Sequence, residues 1–211
     1  YSRNMAYNHL LVSPKYIRRG ILSLIDREIK RQSEYRDGRI ILKLNALQDE
    51  EMIQALYRAS MAGVQINLQI RGICCLRPGL KGVSDNITVS TIVGRFLEHS
   101  RIYYFHNGGE EILLMGSSDL MPRNLNRRVE ILYPVLDIGI RNEIINTILP
   151  IHMKDNIKAR DLDSDGYYHH RDISEDTEKI HAQEWMLRHR GIWNSESTDE
   201  VEDTTISQLG I

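Results

Sequence analysis

RIILKLNALQDEEMIQALYRASMAGVQINLQI, residues 39–70, decides the fold class. Its two ends read as strands and its middle as a helix. Arg39 to Leu44 (RIILKL) is an apolar run of strand length. Asp49 can cap a helix whose first turn carries Glu50 and Glu51, where negative charge meets the positive helix end. Met52, Ile53 and Leu56 share one face of that helix, and Gly63 marks its end. Val64 to Ile70 (VQINLQI) then alternates apolar and polar, the period of a half-buried strand. Strand, helix and strand in this order call for parallel strands joined by a crossover helix.

The pattern extends in both directions. Upstream, His9 to Val12 (HLLV) is a short apolar run, Ser13 can cap a helix and Pro14 suits its first position. Ile17, Ile21, Leu24, Ile25 and Ile29 follow at helical spacing, predicting a helix to about Arg31. Downstream come a strand from Ile87 to Val93 and a helical turn through Arg95, Phe96 and Leu97. A hairpin of Arg101 to Phe105 and Glu111 to Met115 turns at Asn107-Gly108-Gly109, where Asn-Gly supplies positive φ. Val129 to Val135 reads as a strand and Ile138 to Ile151 as a helix. A last helix from about Ser174 to Arg190 is acidic early and basic late, as its dipole favours. The fold class is α/β, a mixed β-sheet flanked by helices, with residues 1–160 as the main lobe. Residues 161–193 are expected to form a helical C-terminal extension, and the acidic residues 194–211 are expected to be a disordered tail.

Composition closes off several classes. The 211 residues carry 27 Lys and Arg against 29 Asp and Glu, with 41% hydrophobic residues, which is ordinary for a globular chain. Fourteen Gly, five Pro and two Cys exclude collagen-like and disulfide-scaffold readings. No apolar run approaches a membrane span, and the first residues lack a secretory pattern. The start at Tyr1 suggests a piece of a longer protein. Residues 194–211 hold five acidic residues and no Lys or Arg; taking those five from 29 leaves 24 against 27 basic ones, or +3, too modest to require nucleic acid. Cys74 and Cys75 are neighbours, a spacing that disfavours a disulfide, so they read as reduced, mostly buried thiols in a reducing cytoplasm.

Several polar segments fall where strands meet loops, the ligand-binding edge of an open α/β sheet. Arg71 directly follows VQINLQI, with Gly72 behind it to let a ligand approach the backbone. His99 and Arg101 stand at the start of the hairpin, and Gly116-Ser117-Ser118 at its return, so pairing about Asn107 brings the serines back toward His99. An Arg, a His and small hydroxyls on one rim suit a phosphate: guanidinium offers a planar fork, and imidazole can pass a proton. Taken singly, such residues are more often surface or ion-pair groups, so spacing supports an anion-binding α/β domain and no more. His169-His170 lack further ligands for a metal and read as a polar surface loop.

The run LQIRGICCLRPGLKGVSDNITVSTIVGRFLEHSRIYYFHNGGEEILLMGSSDLMPRNLNRRVEIL resembles the last catalytic domain of the bacterial polyphosphate kinases of the first type. The resemblance extends from about Asn8 to Arg160 and rests on the order RG-C-L, G-SDNI, LEH-R-Y-F-NGG, SSD-M-RN and R-E. Those enzymes are similar to phospholipase D relatives, with two α/β lobes flanking one active site. The phospholipase D motif His-x-Lys is matched here by His99-Ser100-Arg101 and its Gly-Ser by Gly116-Ser117. The Asp usual after His-x-Lys has no counterpart in IYYFHN, which argues against phosphodiesterase chemistry.

The resemblance implies reversible transfer of the terminal phosphate of ATP to inorganic polyphosphate, with Mg²⁺, through a phosphohistidine on the preceding lobe. By matching motif, Arg71 implies an ATP contact, and His99 the second active-site histidine, catalytic and nucleotide-binding but not phosphorylated. Arg123, Asn124 and Arg128 follow as secondary phosphate candidates. The implied partners are ATP or ADP, polyphosphate and the enzyme's upstream domains, with Mg²⁺ ligands upstream and none on this chain. The resemblance further implies a homo-oligomeric full-length enzyme, without nucleic acid or a membrane span. It implies a cytoplasmic location, with peripheral membrane attachment left open. The nucleophile-bearing lobe has no counterpart here, so the isolated chain is expected to be inactive. Two other classes stay open: a half-lobe phosphodiesterase active as a dimer, and a non-catalytic polyanion-binding module.

Overall fold

The computed structural model describes residues 9–174 and 177–189. Residues 39–70 fold as their pattern predicts. Strand β2 (Arg39–Leu44) leads into helix α2 (Glu50–Met61), capped by the Asp49 carboxylate accepting from Met52 N, and then into β3 (Gln65–Ile70). β3 pairs parallel with β2, and β4 (Ile87–Ile92) pairs parallel with β3. β5 (Ile102–Phe105) and β6 (Ile112–Gly116) form the hairpin, Phe105 opposite Ile112, turning through residues 107–109, all at positive φ.

With β1 (Leu11–Val12), β7 (Ile131–Pro134), β8 (Ala159–Leu162) and β9 (Tyr168–His170), these strands form one sheet in the order β1-β7-β6-β5-β2-β3-β4-β8-β9. Every pair other than the two parallel ones is antiparallel. One face is covered by α2 and by α1 (Ile17–Tyr35), whose Ile17, Ile21, Leu24 and Ile25 are buried. The other face carries Ile41, Ile102, Tyr104 and Leu113 against Ile145 and Leu149 of a helix running through α4 (Ile138–Glu143) and α5 (Leu149–Lys154). A π-helical turn, Ile144–Ile148, joins these segments. Pro150 has no N–H to continue the helical ladder, which accounts for the widened turn before it.

Four expectations need correction. Ser13 does not cap α1, which starts at Ile17 without a side-chain cap. Its hydroxyl instead donates to Arg128 O at 2.7 Å and accepts from Glu130 N at 2.9 Å, satisfying both capacities in tertiary structure. No helical turn forms at residues 95–97, whose backbone is an irregular loop. Among the described residues the C-terminal helix is α6 (Ala182–Arg188) only, since residues 177–181 lack an apolar stripe to bury. Finally, the expected boundary at residue 160 falls inside β8. The hairpin β8–β9 continues the sheet through residue 170, with Asp163 Oδ1 accepting from Asp165 N and Tyr167 N in its turn. His169 and His170 therefore lie in a strand, where His169 pairs with Asp163. The acidic tail, residues 194–211, lies outside the described residues.

Candidate functional site

The parallel strands β2, β3 and β4 end at the same edge where β5 begins and β6 ends. The segments leaving this edge keep pairing: Gly72 N donates to Asn45 O, Leu47 N to Ile73 O, and Leu120 N to Ala46 O. Gly72 is explained by this packing, because a Cβ there would sit 2.9 Å from the Asn45 carbonyl. The expectation that Gly72 clears space for a ligand is thereby replaced by a contact within the chain.

Arg71 stands at the end of β3, as predicted, and its Nε donates to Asn45 Oδ1 at 2.9 Å. Among the described residues its η nitrogens take no hydrogen bond. Asn45 in turn is held by Asp119, whose Oδ1 accepts from Asn45 N at 2.7 Å and from Asn45 Nδ2 and Ala46 N at 3.3 Å. Asp119 Oδ2 accepts from the Arg101 guanidinium at 3.0 Å, in a pair that is largely buried. Arg101 also reaches His99, donating to its carbonyl at 3.1 Å and lying 3.4 Å from ring Nδ1. A continuous chain of hydrogen bonds thus runs Arg71–Asn45–Asp119–Arg101–His99 along one rim.

A guanidinium N–H can only donate, so the Arg101 contact is one that Nδ1 can accept when the ring proton sits on Nε2. His99 itself is exposed, and Nε2 has no partner among the described residues. The site offers an open fork from Arg71 and an exposed imidazole edge from His99, both braced from behind, an arrangement suited to phosphate oxygens.

A second layer lies beneath. Lys43 of β2 is buried, with Nζ donating to Ser100 Oγ and to Glu98, each at 2.9 Å. Burial lowers the Lys43 pKa, the Glu98 charge pulls it back up, and the nearby Arg71 and Arg101 charges lower it further. Glu98 shows the opposite balance. Burial alone would raise its carboxyl, yet hydrogen bonds from His152 and Gln183 and the charge of Lys43 hold it well below the usual carboxylate range. Lys43 and Asn45 are not reached from the sequence, whereas Glu98 and Asp119 fall in the polar segments at the strand ends without an assigned role. A lysine within the apolar run RIILKL was the available signal, since a buried charge requires a partner.

Other predicted residues do not join the rim. Ser117 is exposed and accepts from Ile131 N, while buried Ser118 bonds its neighbour Asp119 and gives its carbonyl to Tyr103. Asn124 is buried and donates to Glu130 at 2.6 Å, a structural role. Arg123 and Arg128 are exposed on the segment around α3 (Pro122–Asn126), with no side-chain hydrogen bond among the described residues. Cys74 is half-buried, but Cys75 is exposed, contrary to expectation, because the segment beside α2 turns it outward. Among the described residues, no three His, Cys, Asp or Glu side chains gather to hold a metal ion. The rim carboxylates Glu98 and Asp119 are both committed to cations of the chain, so these residues do not fit a Mg²⁺ site.

Comparison with known proteins gives the family and the fold of the chain. The family model "Polyphosphate kinase C-terminal domain 2" matches residues 10–183. The polyphosphate kinase of Prosthecochloris aestuarii is 52% identical over 168 residues, covering 80% of this chain and 23% of the relative. Polyphosphate kinase 1 of Chlorobaculum tepidum is 49% identical over 190 residues, 90% of this chain and 27% of that protein. The chain therefore spans about a quarter of the length of the curated relatives it matches. The crystal structure of polyphosphate kinase from Porphyromonas gingivalis superposes with a TM-score of 0.84 at 44% identity, over 89% of this chain and 28% of that one. A phospholipase D family member, Nuc from Salmonella typhimurium, shares the fold at a TM-score of 0.50 and 14% identity, covering 75% of this chain and 99% of that one.

Proposed function

The chain belongs to the polyphosphate kinase C-terminal domain 2 family, and from that premise we propose that it is one lobe of an enzyme exchanging the terminal phosphate of ATP with inorganic polyphosphate. The observation that carries the reading is the hydrogen-bonded chain from Arg71 to His99 on one rim. The two η nitrogens of Arg71 meet oxygens of the transferring phosphoryl group and neutralise the charge spread over them. His99, with its proton on Nε2, donates to the bridging oxygen that leaves as ADP departs, and takes the proton back in the reverse direction. Arg101, fixed by Asp119, supplies positive charge beside His99.

The phosphate acceptor in this reading is a histidine on the part of the enzyme that precedes this chain, and any Mg²⁺ is held there too. Assembly with those upstream domains, a homo-oligomeric complete enzyme and a cytoplasmic location belong to the same proposal. Among the described residues no helix is long and apolar enough to cross a membrane.

The test is single-turnover transfer from γ-labelled ATP, using the chain alone and the complete enzyme. We expect no acid-labile label on the chain alone, with label and polymer in the complete enzyme that fall sharply in Arg71→Ala and His99→Ala. Label on the isolated chain would make a local histidine the nucleophile and overturn the division of roles. Hydrolysis of a phosphodiester by the chain alone would favour the dimeric phosphodiesterase instead.

A further inference from the structure

The loop of residues 93–101 carries His99, and its first half has little local structure to fix it. It contains no helix or strand before residue 102, and Val93, Phe96 and Leu97 are exposed, so no apolar side chain anchors its first half. What holds that first half comes from the far end of the chain. Gln183, in the first turn of α6, is buried and uses both ends of its amide on the loop. Its Oε1 accepts from Phe96 N at 3.0 Å, and its Nε2 donates to Phe96 O at 2.8 Å and to Glu98 Oε1 at 2.7 Å. Gly94 makes room for this contact, since a Cβ there would lie 2.3 Å from Gln183 Oε1. The other Glu98 oxygen faces His152 Nε2 at 3.2 Å and Lys43 Nζ at 2.9 Å.

We propose that α6 is a clasp for the His99 loop, with Gln183 and Glu98 as positioning residues that hold His99 in its working place. Three elements far apart in sequence converge on the residues just before His99: β2 through Lys43, α5 through His152 and α6 through Gln183. Docking of α6 does not depend on Gln183. Ala182 N donates to Asp155 Oδ2 at 2.8 Å, and Ala182 packs with Ile92 and Ala159. Asp155 is itself fixed by accepting from Ile157, Lys158 and Ala159 N–H groups. Removal of the Gln183 amide therefore loosens the loop at Phe96 while leaving the helix seated. A backbone N–H and C=O pair satisfied only by one side chain opens readily once that side chain is gone. The inference rests on the functional reading above for the importance of His99, but its structural part is tested separately.

The first measurement is amide hydrogen exchange across residues 94–100 of the chain, native and with Gln183→Ala or Gly94→Ala. The two changes strike the same contact from opposite sides. We expect exchange at Phe96 to rise by about tenfold or more in both, with protection in β2 and β3 unchanged. Unchanged exchange in the two variants would overturn the clasp. The second measurement is a double-mutant cycle on turnover of the complete enzyme. If Gln183 acts through His99, Gln183→Ala lowers turnover by about tenfold in the native background and adds little to His99→Ala. Equal losses in both backgrounds would overturn the positioning role and leave Gln183 a structural residue. Full turnover from His99→Ala would instead remove the functional reading, an outcome distinguishable because the exchange result does not depend on it.

Discussion

Arg101 and Asp119 face each other across the rim at 3.0 Å, and through this one pair the hairpin start is tied to the loop after its return strand. The same carboxylate fixes the backbone at Asn45 and Ala46. Asp119→Asn keeps an acceptor for Asn45 but sets an amide N–H against the guanidinium. Breaking a largely buried pair in this way should cost about 3 kcal/mol of stability. In the complete enzyme it should also lower turnover at least as much as loss of Arg101 does. Urea unfolding and steady-state rates check both expectations; native values in either would show that Asp119 does not hold Arg101 in place.

Glu98 gives the acid behaviour of the site. Its carboxyl is depressed in the folded chain despite burial, by His152, Lys43 and Gln183. A depressed carboxyl stabilises the fold above its unfolded value, and that gain disappears as pH falls toward the folded value. The loss begins near the unperturbed value of about 4.3 and continues downward. Glu98→Gln should therefore be less stable than the native chain at pH 7 and lose less stability between about pH 5 and 3. Denaturation series at several pH values would show the two curves converging in acid. Curves that stay parallel would mean the carboxylate is not held by its partners.

Arg71 and His99 are legible in the sequence, and Glu98 and Asp119 stand in the same polar segments, but the contacts that brace the rim are not legible because the partners are far apart along the chain. Residues 39–70 were legible because strand and helix periods change within a short span, so both parallel strands and the position of Arg71 after β3 follow from local pattern. The partners are distant: Asp119 meets Asn45 across 74 positions, and Gln183 meets Glu98 across 85. No local period records such pairings. The β8–β9 hairpin was missed because its strands are short and polar. The helix expected from Ser174 was drawn too long because an acidic start and a basic end satisfy the dipole rule without an apolar face. Ser13 looked like a cap because its local neighbours suit one, yet its hydroxyl serves a segment over 100 residues away.

Glu28 makes a different prediction, at the opposite edge of the sheet. It is fully buried, with Oε2 accepting from Arg39 N at 2.9 Å and Oε1 from Asn107 N at 2.7 Å, so it joins α1 to the start of β2 and to the hairpin turn. Glu28→Ala leaves two backbone donors without their acceptor and should cost about 2–4 kcal/mol. Burial raises this carboxyl, against the pull of its two N–H donors. A carboxyl raised in the folded state contributes stability that is full below its unfolded value and lost as pH rises through the folded one. Glu28→Gln, which carries no charge to bury, should thus lose less stability than the native chain on going from about pH 4 to 7. Identical pH dependence in the two would show that the buried carboxyl titrates as if in water.

The adjacent cysteines should separate cleanly by reactivity. Cys75 is exposed, whereas Cys74 is half-buried with Sγ 3.5 Å from the Leu76 carbonyl, and burial pushes its thiol up to about 11. Thiolate is the reactive form, so at pH 8 Cys74 is almost wholly protonated as well as shielded. Ellman's reagent added to the native chain should therefore release one equivalent of thionitrobenzoate quickly and the second only after guanidinium unfolds the protein. Cys75→Ser should abolish the fast phase and leave the slow one. Two equal fast phases in the native chain would mean that the segment following Arg71 opens freely, and with it the backbone pairing of Leu47 to Ile73 and Cys75 that holds this side of the rim.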